Sequence, residues 1–356
     1  MSPDFGFGRR ERAMHIRRGP IVCLLSALAV FSSAVHANVA AQAAQAKPAG
    51  DSKATAEQQD LSALSTMVDA VASGKQAAPA DVRVTWVAND FIRSTGDSVY
   101  VPFTLGIDRG AMSASTAALY VRVVSKAAAG TSPVTLPGAR PTYPWDTIHF
   151  IDVPVDGKVA RAIALPPGSY EAFVAVKEKG TPAPGKIGVV RHEITVPSLN
   201  SPDLNTSSVI LARGLEQLPA PLPADKQQDN PYVFGTLKVT PSLDHVFPKS
   251  SELQVLFWIY GASQTGGKPD VQVEFNFHQR MPDGTQKYFN KTQPQEMNEK
   301  TLPPEFNLTA GHQLLSSLVI QLGSFPAGDY RLEIKITDKP SGKSLTRDVN
   351  FQVSAS

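Results

Sequence analysis

Cysteine is nearly missing from this chain of 356 residues. The single Cys23 lies inside an apolar run near the amino terminus. A disulfide framework and a thiolate metal site are therefore both excluded. Histidine clusters are missing too: there is no His-Glu-x-x-His, and no two histidines fall within five residues of each other. Gly-x-Ser-x-Gly does not occur, so no nucleophile elbow can be read. The nearest thing to a phosphate cradle, Thr265-Gly-Gly-Lys268, has no helical pattern after it to supply a dipole. Charge of one sign is also lacking. Lys and Arg total 34 against 32 Asp and Glu, and removing residues 1–37 turns the net +2 into −1. A near-neutral chain offers no electrostatic ground for nucleic acid, and none is expected as a partner.

What is present begins with a leader. A basic stretch, Arg9 to Arg18, precedes the apolar run Ile21 to Val35 and the small-x-small end Val35-His36-Ala37. That order predicts a signal peptide over 1–37, cleaved after Ala37, with Ala40 or Ala41 as alternatives and Met14 as an alternative start. The run is shorter than the ~20 apolar residues a membrane span wants. The mature form is thus expected not to span a membrane. Cys23 goes with the leader, and a thiol-free exported chain fits a bacterial envelope. From Asn38 an Ala/Gln-rich tether extends to residue 80. It carries a short helix at about 55–73, where Leu61, Leu64, Val68 and Val71 line one face.

At roughly 150 residues per domain the length suggests two domains. From Asp81 the apolar period is two: Val82, Val84 and Trp86, then Val99 to Ile107, then Leu119, Val121 and Val123. Ile148 and Phe150 start a strand that is expected to turn at Asp156-Gly157 as a hairpin. Segments 158–165, 170–178 and 189–196 complete a set of seven strands, read as an antiparallel sandwich over 81–197. A Pro-rich junction spans 198–231, with Ser208 to Ala212 as a short strand or docked segment inside it. The pattern resumes over 232–354 as a second sandwich, with a turn at Met281-Pro-Asp-Gly284. No segment after Gly74 has a useful helical period, and the fold class is all-β.

The two sets share a repeat. Pro166-Pro-Gly168-Ser-Tyr170 aligns with Pro326-Ala-Gly328-Asp-Tyr330 at a constant offset of 160, each entering a late strand. Tyr170 and Tyr330, with Gly168 and Gly328, are therefore candidates for tyrosine corners. With the leader and the paired strand sets, this resembles exported bacterial proteins that carry tandem immunoglobulin-like or fibronectin-type-III-like sandwiches. The resemblance is architectural and covers roughly 82–354. It implies adhesion, spacer or binding modules, and it carries over no functional residue.

The remaining signal is aromatic. Pro141-Thr-Tyr143-Pro-Trp145-Asp146 puts two large rings in a Pro-rich stretch, a composition favoured at interfaces and for stacking on sugars. Tyr143 and Trp145 are the candidate binding residues, set against a reading in which Trp145 covers the open end of its sandwich. Tyr100 and Tyr120 are expected on an outer face as a cross-strand pair. The expectation is a non-enzymatic, secreted or periplasmic binding or scaffold protein, with no catalytic residues, metal or cofactor. Its partner would be an envelope protein or, as the alternative, a cell-wall glycan held by the aromatic loop.

Overall fold

The computed structural model describes residues 51–126, 142–182 and 185–355, with side chains from residue 55. The leader expected at 1–37, the tether up to residue 50 and the stretch 127–141 lie outside the described residues. The chain is all-β, two antiparallel immunoglobulin-like sandwiches in tandem, preceded among the described residues by one helix, α1 (Asp51–Ala72).

Seven longer strands build the first sandwich. They are β1 (Val84–Asn89), β2 (Val99–Ile107), β3 (Thr116–Ser125), β4 (Trp145–Asp152), β5 (Lys158–Leu165), β6 (Gly168–Glu178) and β7 (Ile187–Val196). One sheet sets β2 between β1 and β5, and the other runs β4-β3-β6-β7. Alternate residues of both sheets meet in one core, with Val101, Phe103 and Leu105 facing Leu119, Val121 and Val174. The Asp156-Gly157 turn is not a hairpin. β4 pairs with β3 and β5 with β2, so this turn carries the chain across from one sheet to the other. Gly157, at φ 67°, lets its carbonyl accept from the Ile107 amide at 2.8 Å, and a Cβ there would strike the Ile107 carbonyl. Tyr100 and Tyr120 sit in different sheets and form no cross-strand pair.

Helix α1 covers the outer face of the β4-β3-β6-β7 sheet. Leu64 and Val68 are fully buried against Tyr120, Phe173 and Ala175. Three ion pairs fix its register: Glu57 with Lys179, Asp60 with Lys177, and Asp69 with Arg122. Lys177 and Asp60 are both buried, at 1% and 2% exposure. Lys177 also donates to the Thr181 carbonyl at 2.7 Å, and Asp60 accepts from the Gly180 amide at 2.9 Å. A buried pair with its remaining sites filled is tolerable where a bare charge is not.

The second sandwich uses β8 (Ile210–Gln217), β9 (Leu237–Pro241), β10 (Glu252–Tyr260), β11 (Val271–Arg280), β12 (Gln286–Lys291), β13 (Leu314–Gln321), β14 (Gly328–Asp338) and β15 (Lys343–Ser354). Its sheets run β9-β8-β10-β13 and β15-β14-β11-β12, and Val246–Pro248 adds a parallel strand beside β15. Met281 to Gly284 makes the hairpin turn between β11 and β12. The stretch 198–231 does more than connect. It supplies β8, which pairs with both β9 and β10, so the second sandwich starts before residue 232.

Strand β10 is buried on both faces. Leu253, Val255, Phe257 and Ile259 point into the second core, while Leu256, Trp258 and Tyr260 join the cluster of the first. Phe234, Leu237 and Val239 face the same way. The two sandwiches therefore share a continuous apolar contact. It is tied by polar bonds: Tyr100 to the Pro231 carbonyl at 3.0 Å, the Arg93 amide to the Tyr260 hydroxyl at 3.1 Å, and Ser208 to the backbone of Phe91 at 2.9 Å in both directions.

Candidate functional site

The expected aromatic pair lies at the start of β4, on the edge of its sheet. Tyr143 is half-buried with the Arg122 guanidinium over its ring at 4.1 Å. Arg122 in turn is held by Asp69 and Asp146, and the Tyr120 hydroxyl bonds both Asp146 and Arg122. Trp145 is half-buried and packs against the first core, and its buried indole N–H has no hydrogen-bond partner among the described residues. The two rings are neighbours in sequence, and each already has a contact with the fold.

Tyr170 and Tyr330 occupy equivalent places. The Tyr170 hydroxyl donates to the Pro166 carbonyl at 2.9 Å and the Tyr330 hydroxyl to the Pro326 carbonyl at 2.8 Å. Both bonds span four residues, the geometry of a tyrosine corner. Gly168 and Gly328 hold φ of 157° and 148°, and a Cβ at Gly168 would come within 3.2 Å of the Tyr170 hydroxyl. The repeat continues at the strand ends. Glu178 accepts from the Ser113 and Ala114 amides at 3.2 and 2.7 Å, and Asp338, at the same offset of 160, accepts from the Ser263 amide at 3.1 Å. Each carboxylate clamps a loop of its own sandwich.

A different place has the shape of a site. Where the sandwiches meet, a cleft of about 360 Å³ opens between the Asp90-Phe91 turn, residues 197–199, residues 205–209 and β15. Asp90 accepts from the Tyr232 hydroxyl at 2.9 Å, and burial pushes its carboxyl up to about 6 against the bonds from Tyr232 and Ser208 that pull it down. Across from it stands Arg347, whose Nε donates to the Thr206 hydroxyl at 2.9 Å and Nη2 to the Asn205 side-chain carbonyl at 2.7 Å. Burial lowers the Arg347 pKa. Neither Asp90 nor Arg347 is a sequence-derived candidate. Arg347 does leave a sequence signal, since it takes an inward slot in the alternation Leu345, Arg347, Val349, Phe351, Val353. Asp90 leaves none, because its partners lie more than a hundred residues away.

A second polar group closes the β4/β5 edge of the first sandwich. Arg161 sits opposite Phe103 on the core side of β5 and pairs with Asp229 at 3.1 Å. Burial first and Arg161 second push His149 down to about 4, so it is neutral at physiological pH. Among the described residues no group of three or more His, Cys, Asp or Glu could hold a metal. No helix among them is long and apolar enough to cross a membrane.

No protein-family model matches the chain, and no curated protein matches it. Solved structures that the chain matches in part include trypsin-activated alpha-2-macroglobulin from Escherichia coli, at 10% identity and TM-score 0.24 over 78% of this chain and 17% of that one. The elastase-activated Escherichia coli protein gives 13% and 0.23 over 78% and 24%, and the methylamine-reacted Salmonella protein 12% and 0.21 over 78% and 17%. The chain spans about a fifth of the length of these proteins. Likenesses this slight transfer no residue and no role.

Proposed function

We propose that this chain is an exported, non-enzymatic binding or scaffold protein of a bacterial envelope. The observation that carries the reading is the contact between the sandwiches. An apolar seam through Trp258 and Tyr260, tied by Tyr100, Arg93 and Ser208, holds two modules at one angle. A fixed angle suits a spacer or a composite binding surface, where a free linker would waste partner-binding energy on ordering. The partner is an envelope protein. Cross-linking of the full chain in envelope extract should capture the same protein repeatedly, and Trp258→Ala, which loosens the seam, should weaken that capture. Retention of nothing, or capture indifferent to the seam, would overturn the proposal.

The alternative is a carbohydrate-binding or accessory module at Tyr143 and Trp145. The Trp145 indole N–H, without an acceptor among the described residues, favours it, because a buried donor wants one. Against it stand the contacts both rings already make. Sedimentation with purified cell wall separates the readings: co-sedimentation abolished by Tyr143→Ala selects the glycan, and a blank selects the protein partner.

A further inference from the structure

The partly covered arginines of the sheets are not treated alike. Arg122 is met by Asp69 and Asp146, and Arg161 by Asp229. Arg347, opposite the fully buried Ile334 on the inward face of β15, has no carboxylate within ion-pair distance among the described residues. The nearby acids are committed elsewhere: Asp348 to Arg331 at 2.6 Å, Asp203 to Lys343 at 3.1 Å, and Asp90 to the Tyr232 hydroxyl. Arg347 is half-buried, and a cation partly withdrawn from water without a counter-charge is unfavourable; such groups recur where a ligand supplies the missing charge.

The guanidinium is also held ready. Thr206 takes Nε–H and Asn205 one Nη2–H, while the long bond from Nη1 to the Thr346 carbonyl is 3.4 Å. From five N–H groups this leaves one on each terminal nitrogen, the fork that a carboxylate matches with two parallel bonds. Phe91, Leu199, Val209 and Val349 supply apolar wall to the same cleft. Its volume of about 360 Å³ lies at the small end of ligand pockets.

We propose that the cleft between the sandwiches binds a carboxylate carried on an apolar group, with Arg347 as the anchor of the anion. The carboxylate is that of a small organic acid or of a peptide chain end, and Arg347 fits both. The inference deepens the binding reading but is tested with no envelope partner present, so failure of one leaves the other standing.

The test is calorimetric titration of the full chain with three probes: hexanoate, acetyl-Ala-Ala-Leu with a free carboxyl end, and the same peptide amidated. Binding of a free acid at least about tenfold tighter than the amide is expected, since loss of a charged, paired hydrogen-bond partner is worth that much or more. Hexanoate binding alone assigns a small acid, and peptide binding alone assigns a chain end. Arg347→Gln should remove binding of the free acid, and Arg347→Lys should keep a weakened part of it, because charge remains but the fork is gone. The contrast between acid and amide on the unaltered chain decides the matter even if both variants fail to fold. No binding of either acid at about 10 mM, a range that reaches even millimolar sites, would overturn the proposal. So would equal binding of acid and amide, or a folded Arg347→Gln that binds as before.

Discussion

At the scale of single residues, two half-buried groups titrate in the same window with opposite sign. The Asp90 carboxyl stands at about 6 in the folded chain against 3.8 for the free side chain, so folding stability is highest below the lower value and falls as pH rises through 6. His149 stands at about 4 against 6.5, so its contribution is full above 6.5 and is lost as pH falls towards 4. Each is worth about 3 kcal/mol across its window, at ~1.4 kcal/mol per unit. Between pH 4 and 6.5 the two therefore pull stability in opposite directions. Asp90→Asn should unmask the histidine, giving a protein that weakens on acidification, and His149→Gln should strengthen on acidification. Urea unfolding at pH 4.5 and 7 for both variants checks the signs. The corner tyrosines make a smaller, matched pair. Tyr170→Phe and Tyr330→Phe each remove one hydrogen bond and should each cost about 1 kcal/mol in the same urea experiment.

At the scale of elements, α1 is the piece whose role depends most on its surroundings. Its apolar face is narrow, and it gains its place from Leu64 and Val68 under cover and from the Asp60–Lys177 pair. Removing one member of such a pair leaves the other charge buried and costs about 3–5 kcal/mol. Asp60→Ala should therefore release the helix. Amide exchange over residues 57–71 should rise, and Tyr120 and Phe173 should become exposed enough to bind a hydrophobic dye. Lys177→Met combined with Asp60→Leu should restore protection, since an apolar replacement of both partners satisfies the same volume. Strands β3 and β6 show the same dependence from the other side. Alternation in Leu119-Tyr-Val-Arg-Val123 marks the inner face, but the outer face carries Ala118, Tyr120 and Phe173, which are apolar because the helix lies over them.

At the scale of the whole molecule, the seam makes the sandwiches energetically dependent on each other. Leu256, Trp258 and Tyr260 lose their cover if the sandwiches part. The full chain should unfold in a single calorimetric transition, and Trp258→Ala, costing about 3–5 kcal/mol, should lower it and split it in two. Two transitions in the unaltered chain would contradict a shared core. β10 carried a legible hint of this in Val255-Leu-Phe-Trp-Ile-Tyr260, an unbroken apolar run of the kind found in strands covered on both sides. The hint identifies a doubly buried strand and stops short of saying what lies on its second face.

The chain's own pattern determined most of the longer strands but not β9, together with the repeat at 160 residues and the Pro-x-Gly-x-Tyr segments, because period-two burial and turn residues act over a few neighbouring positions. It also placed an amphipathic helix near the start, within a few residues of α1. Tertiary structure alone decided that Asp156-Gly157 crosses between sheets, that 198–231 contributes β8, and that Tyr100 reaches Pro231. It alone set Arg347 in a cleft with no counter-charge among the described residues while Arg122 and Arg161 found theirs. The reason is distance along the chain. Asp69 and Arg122 are 53 residues apart, and Asp90 and Tyr232 are 142 apart, so no local periodicity constrains which charge meets which.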